Sequence, residues 1–267
     1  MKKVLVALCF ASLASSRVGA ELKYTMRTEV QKSEAPASPA PNPMIAMMGE
    51  AMTRQLLPEG SATMTYVLGE KGARVEFVNA AMGQTAGTVT LAQPDGTAVT
   101  LNPKDQTYWK VGLPGAAAAM QAAGVKPEVT VKPTGESETI AGVKCARSTF
   151  TMKMALPIPE SARATLGADF PSSLDMTGET CATTDQFQKY AELAAKNQIT
   201  GMLAAMGLDK LMPGGIVLRQ AIRLGGVEIR SVVTEIAEAE VPAGSFDIPA
   251  GYKEVPPPMG LPPTGLR

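Results

Sequence analysis

The chain contains no histidine. That absence removes the usual general base near neutral pH, the Ser-His-Asp and Cys-His arrangements, and the commonest zinc ligand. Carboxylate or lysine chemistry would need converging groups, and no paired-carboxylate motif is present. The chain is therefore read as non-enzymatic, with no cofactor and no metal. Aromatic residues make up only 4% of the sequence, so each one that falls on a strand stands out. No segment downstream of the N-terminus approaches the roughly 18 consecutive apolar residues of a membrane span. Positive charge is not in excess either: 25 basic residues balance 25 acidic ones, which argues against nucleic acid as a partner.

The N-terminus has a three-part pattern. Lys2 and Lys3 precede an apolar run from Val4 to Leu13, and Val18-Gly19-Ala20 places small residues before Glu21. This predicts a cleavable signal peptide over residues 1–20 and export to a periplasm, with a Gram-negative envelope expected. Leu8 is too bulky for a lipobox at Cys9, so no lipid anchor is expected. Loss of Lys2, Lys3 and Arg17 would leave the exported chain slightly acidic.

Beyond the signal, hydrophobic residues alternate. Leu22, Tyr24, Met26, Thr28 and Val30 form one period-two run; Ala62, Met64, Tyr66 and Leu68 form a second. Gly69-Glu70-Lys71-Gly72 turns that run into Ala73, Val75 and Phe77. Further strands are predicted over 88–101, 107–113, 128–132, 143–154, 174–183, 216–224 and 227–236, the stretch 88–101 being a hairpin about Pro94-Asp95-Gly96. Helical spacing appears over 44–57 and 185–212, with alanine-rich 114–124 helical or loose and a loop or short helical insertion at 157–169. The Pro/Gly-rich tail 255–267 reads as loose. Strands joined by tight turns exclude βαβ units. The expected class is mainly β with helices (α+β): a large curved antiparallel sheet covered on one face by helices, in a single domain over 21–254.

Cys9 leaves with the signal, so Cys145 and Cys181 remain. An even count in an oxidising compartment points to a disulfide between them, with two separate thiols as the alternative. A loop of about 36 residues closed in this way contributes roughly 3.5–4 kcal/mol in the chain-entropy model. The spacing does not suit a redox-active CxxC pair. The sequence also holds 16 methionines. Met44, Met47, Met48 and Met52 share a helical face, and Met152 and Met154 share a strand face. Thioether sulfur is a soft copper ligand, but core packing accounts for the same spacing, so no metal site is assigned. Flexible, polarizable methionine also suits an apolar wall that must adapt to varied shapes.

Two stretches carry a family resemblance: VTVKPTGESETIAGVKCARSTF over 129–150 and GVEIRSVVTEIAEAEVPAGSFDIPAGY over 226–252, together with NPKDQTYW from Asn102. They resemble an exported bacterial family of unknown function that is itself similar to the LolA and LolB type of periplasmic lipoprotein carriers. The resemblance implies a LolA-like half-barrel closed by helices, with an apolar cavity for a lipid or lipoprotein acyl chain. It transfers no residue role. Met64, Tyr66, Phe77 and Trp109 are the candidate wall residues, chosen from strand alternation. The leading reading is a hydrophobic-ligand-binding periplasmic protein that does not span the membrane. The alternative is an envelope interaction or regulatory module with a filled core and a protein partner.

Overall fold

The computed structural model describes residues 20–32, 43–94, 97–112, 127–155, 172–196, 214–224 and 226–257. Strand β1 (Glu21–Lys32) begins at the residue expected to follow signal cleavage. Helix α1 (Pro43–Leu56) follows, then β2 (Ser61–Gly69), β3 (Gly72–Phe77), β4 (Val89–Ala92), β5 (Thr97–Asn102) and β6 (Thr107–Gly112). The second half has β7 (Pro127–Ile140), β8 (Val143–Ala155), β9 (Ser173–Thr183), helix α2 (Gln188–Lys196), β10 (Val217–Leu224), β11 (Val227–Ala239) and the two-residue β12 (Lys253–Glu254).

All twelve strands form one open sheet in the order β12-β6-β5-β4-β3-β2-β1-β11-β10-β9-β8-β7. Every pairing is antiparallel except β12 on β6. The sheet is two meanders, β1–β6 and β7–β11, joined where β1 pairs with β11. A meander needs only short turns, which is why the local turn residues mark most of the strands.

Open sheets of this size rarely stay flat. Fourteen residues, 113–126, link β6 near one edge to β7 at the other. Ten interstrand spacings on a flat sheet would cover about 48 Å, nearly the full reach of so short a link. The core shows the same curl. Leu68, Ala73 and Ala92 of β2–β4 share one buried cluster with Val143, Cys145 and Cys181 of β8 and β9.

The two helices sit at opposite ends of the strands. Gly49 and Thr53 of α1 lie against Ile222, Leu224, Val227 and Ile229, where the space between them, about 10 Å³, is of the order of a single water. At the other end Tyr190 of α2 is buried in the shared cluster, and its hydroxyl donates to the Ala20 carbonyl at 2.7 Å. The expected helical cover over one face is thus corrected: among the described residues there are two short helices at the sheet's ends, and no helical layer. Burying a sheet face does not require one when the sheet packs against itself.

Other expectations are refined. The strand expected over 128–132 runs on as the single long strand β7, with an irregularity at Thr134-Gly135-Glu136, between Pro133 and Ser137. Gly135 supplies the positive φ of 79° that a bulge of this kind needs, and the edge position tolerates Pro133. The helix expected over 185–212 is described only as α2, and residues 197–213 lie outside the described residues. So do 114–124, 157–169 and residues 1–19 of the expected signal. The tail does not begin loose: Val255 N–H donates to the Tyr108 carbonyl beside β12. Residues 258–267 again lie outside. No described helix is long and apolar enough to cross a membrane.

Candidate ligand-binding face

Strand pairing sorts the side chains of the sheet into two faces. One cross-strand row runs Ile236, Tyr24, Tyr66, Val75, Thr90, Thr100, Trp109, each directly opposite the next. The adjacent row runs Val233, Met26, Met64, Phe77. All four predicted wall residues therefore share one face, Met64 directly opposite Phe77, and Tyr66 and Trp109 in one row. Two-residue periodicity is what made them legible, because alternate residues must share a face.

The same face continues across the other half of the sheet. Val30, Ile229, Ile222, Gly178, Phe150 and Val131 form one row, and Met152 lies beside it opposite Val129 and Met176. Met152 and Met154 belong to an apolar cluster with Phe150, Leu174 and Leu224, so Met-x-Met is core here. Of the four methionines on α1, only the side chain of Met47 is described, and it is 72% exposed. Toward the α2 end one cluster unites both halves of the sheet. Toward the α1 end the core divides into the Phe150 cluster and a separate Met64–Phe77 cluster that includes Leu57, Tyr66 and Ile229.

Two features break this apolar character. Thr28, Ser231, Gln220, Thr180 and Ser148 line up as one polar row between the apolar rows, with Thr28 and Ser231 hydroxyls bonded at 2.9 Å. The aromatic pair is the second. Tyr24 and Tyr66 stack with centroids 4.7 Å apart and ring planes within 4°. The rings keep some accessible edge, but dense surrounding protein pushes the Tyr66 phenol up to about 12. Burial, then the neighbouring Tyr66, drives Tyr24 higher still. Both phenols are neutral at physiological pH. These rows carry no other ionisable side chain.

Across β4–β6 the opposite face is apolar as well, with Val89, Leu91, Val99 and Leu101 packed against Tyr108, Ile248 and Tyr252; across β7–β11 it carries a ladder of charge. Arg147 bridges Glu136 and Glu179, the latter at 3.0 Å; Glu179 meets Arg223 at 3.1 Å; Glu228 accepts from Arg223 and Arg230, each at 2.7 Å. Three carboxylates alternate with three guanidiniums from β7 to β11. For Glu228, burial raises the carboxyl pKa as the largest single effect, but hydrogen bonds and charge from Arg223 and Arg230 together hold it below the usual value. Glu179 behaves likewise between Arg223 and Arg147. A ladder so neutralised from within suits holding strands in register better than capturing an ionic ligand.

Cys145 and Cys181 form the expected disulfide, with Cα atoms 5.4 Å apart and both residues fully buried. They are diagonal rather than directly opposed: Cys145 faces Thr183, and Cys181 faces Arg147. The Glu138 carboxylate lies close to both sulfurs and pairs with Arg219 at 2.9 Å. With the sulfurs bonded to each other, this cluster offers a metal ion little beyond that one carboxylate.

A family model described as "Domain of unknown function (DUF4412)" matches residues 47–252, and the chain belongs to that family. No curated protein sequence matches it. Among solved structures, the crystal structure of LprF from Mycobacterium bovis aligns over 84% of this chain and 89% of that chain. Its TM-score is 0.30 and its identity 11%, a correspondence too loose to carry an argument.

Proposed function

We propose that this family member is a non-enzymatic periplasmic protein that binds a hydrophobic ligand, a lipid or an acyl chain, against the apolar face of its curled sheet. The observation that carries the reading is the alignment of Tyr24, Tyr66, Met64, Phe77 and Trp109 in two adjacent rows that hold no charged side chain. Burying each methylene of a chain there gains about 0.8 kcal/mol, so affinity needs few polar contacts. The likeness of the 129–150 and 226–252 segments to the lipoprotein-carrier type supports the same reading. So do the export pattern of residues 1–20 and the missing histidine, which favour a carrier outside the cytoplasm over a catalyst.

The test is lipid extraction and mass spectrometry of the protein purified from its native envelope, beside a delipidated sample titrated with a fluorescent fatty-acid probe. Stoichiometric co-purifying lipid, or saturable probe binding weakened by Met64→Asp or Phe77→Asp in folded variants, is expected. Protein free of lipid that also ignores the probe would sink the reading.

A further inference from the structure

Trp109 is the single tryptophan of the chain, 8% exposed, and its Nε1–H is buried with no acceptor among the described residues. A donor in that position normally finds a partner, because burial strips it of water and leaves the lost hydrogen bond uncompensated. Among the described residues three other buried side-chain atoms lack partners, Glu21 Oε2, Glu138 Oε1 and Arg147 Nε, but each belongs to a charged residue. Glu138 and Arg147 already hold ion pairs through their other atoms. Trp109 alone is neutral, and it lies on the apolar face, in the row of Tyr66 and Thr100.

From this we infer that the ligand is a neutral, ester- or amide-bearing apolar molecule whose carbonyl oxygen accepts from Trp109 Nε1–H. The inference rests on the proposed function and makes it more specific. The hydrocarbon part lies along the Met64, Tyr66 and Phe77 side of the face, three to four strand spacings or about 14–19 Å from Trp109 along the sheet. A carboxylate head group fits poorly. The row of Tyr66 and Trp109 contains no lysine or arginine to pair with it. Lys253 of the edge strand β12, beside Thr107, is exposed to solvent, and the guanidiniums of β8, β10 and β11 point to the opposite face, already bound to Glu136, Glu179 and Glu228. An anion buried without a counter-charge is strongly disfavoured.

The lone indole makes the test direct. In ¹⁵N-labelled protein the one tryptophan side-chain resonance is followed while delipidated protein is titrated with methyl palmitate, hexadecane or palmitate at neutral pH. The inference expects a downfield shift of the indole proton with methyl palmitate only, and weaker binding of palmitate than of its ester. Trp109→Phe should lower the affinity for methyl palmitate relative to hexadecane by about five- to tenfold, the worth of one hydrogen bond. An indole resonance equally indifferent to ester and alkane, while both bind, overturns the inference and leaves the proposed function standing. Palmitate binding as tightly as the ester overturns it too. If none of the three binds, the proposed function fails and takes the inference with it.

Discussion

Phe150 sits directly opposite Gly178 on neighbouring strands, and its ring occupies the space a side chain at 178 would need. A Cβ placed on Gly178 would fall 2.4 Å from Phe150 Cζ and 2.1 Å from the Ala221 carbonyl oxygen. The first contact can be relieved by moving a ring; the second needs a backbone shift. Gly178→Ala is expected to destabilise the protein by about 1–3 kcal/mol, the usual cost of overpacking. Urea unfolding with the disulfide intact measures it. A midpoint unchanged from wild type would mean that β9 and β10 yield more easily than this packing allows.

The disulfide gives a second, larger expectation. It closes a loop of 36 residues between β8 and β9. Replacing both cysteines by alanine should cost roughly 3.5–4 kcal/mol if chain entropy dominates. Wild type unfolded in the presence of a strong reductant should shift by a similar amount. Burial of both sulfurs predicts that the folded protein reduces slowly and the unfolded protein quickly.

How far these features can be read from the sequence depends on how local they are. The Gly69–Gly72 hairpin and the Gly226 turn announce themselves in residues that sit side by side, and period-two alternation puts Met64 and Tyr66 on one face of their strand; Phe77 and Trp109 join that face only through the interstrand pairing. The even cysteine count anticipates Cys145–Cys181. Nothing local says that β1 pairs with both β2 and β11, because that second pairing joins residues such as Thr28 and Ser231 across most of the chain. The Tyr24–Tyr66 stack and the alternating arginine–glutamate ladder follow from the same long-range register, so Tyr24 reads only as a strand residue in sequence. Gly135 misleads for a physical reason: its positive φ serves a bulge as readily as a turn. Helical spacing over 185–212 includes the stretch that forms α2, but its place at the strand ends depends on the curl of the whole sheet.

The ladder predicts acid sensitivity. Glu228 has a folded-state pKa lowered from its ordinary value of 4.5 despite the opposing effect of burial. For such a group the stabilisation is fully present above the unfolded value and is lost as pH falls through the folded value. Glu228→Gln should therefore be less stable than wild type at pH 7, and the gap should narrow as pH falls below 4.5 and close once pH passes the lowered folded-state value. Thermal unfolding of both proteins across that range checks it. A gap independent of pH would show that Glu228 matters through packing rather than charge.

Alkaline pH should act through the stacked tyrosines. Burial raises Tyr66 to about 12 from its ordinary 10.0, and Tyr24 beyond it, so the unfolded chain gives up these protons first. The sign follows: stability is intact below pH 10 and falls as pH climbs toward 12, because ionisation favours the unfolded state. The double variant Tyr24→Phe/Tyr66→Phe removes both protons, at the cost of the weak 3.5 Å contact from the Tyr66 hydroxyl to Met64 Sδ. Its stability should decline less steeply than wild type above pH 10, while the two remain close at pH 7. Absorbance at the phenolate band gives an independent reading, since, of the five tyrosines, Tyr24 and Tyr66, and with them Tyr190, which burial also raises, should resist ionisation well above the ordinary 10.0. If all five ionise together in folded protein, the aromatic pair is wetter than its packing implies, and the apolar face loses part of its claim to a hydrophobic ligand.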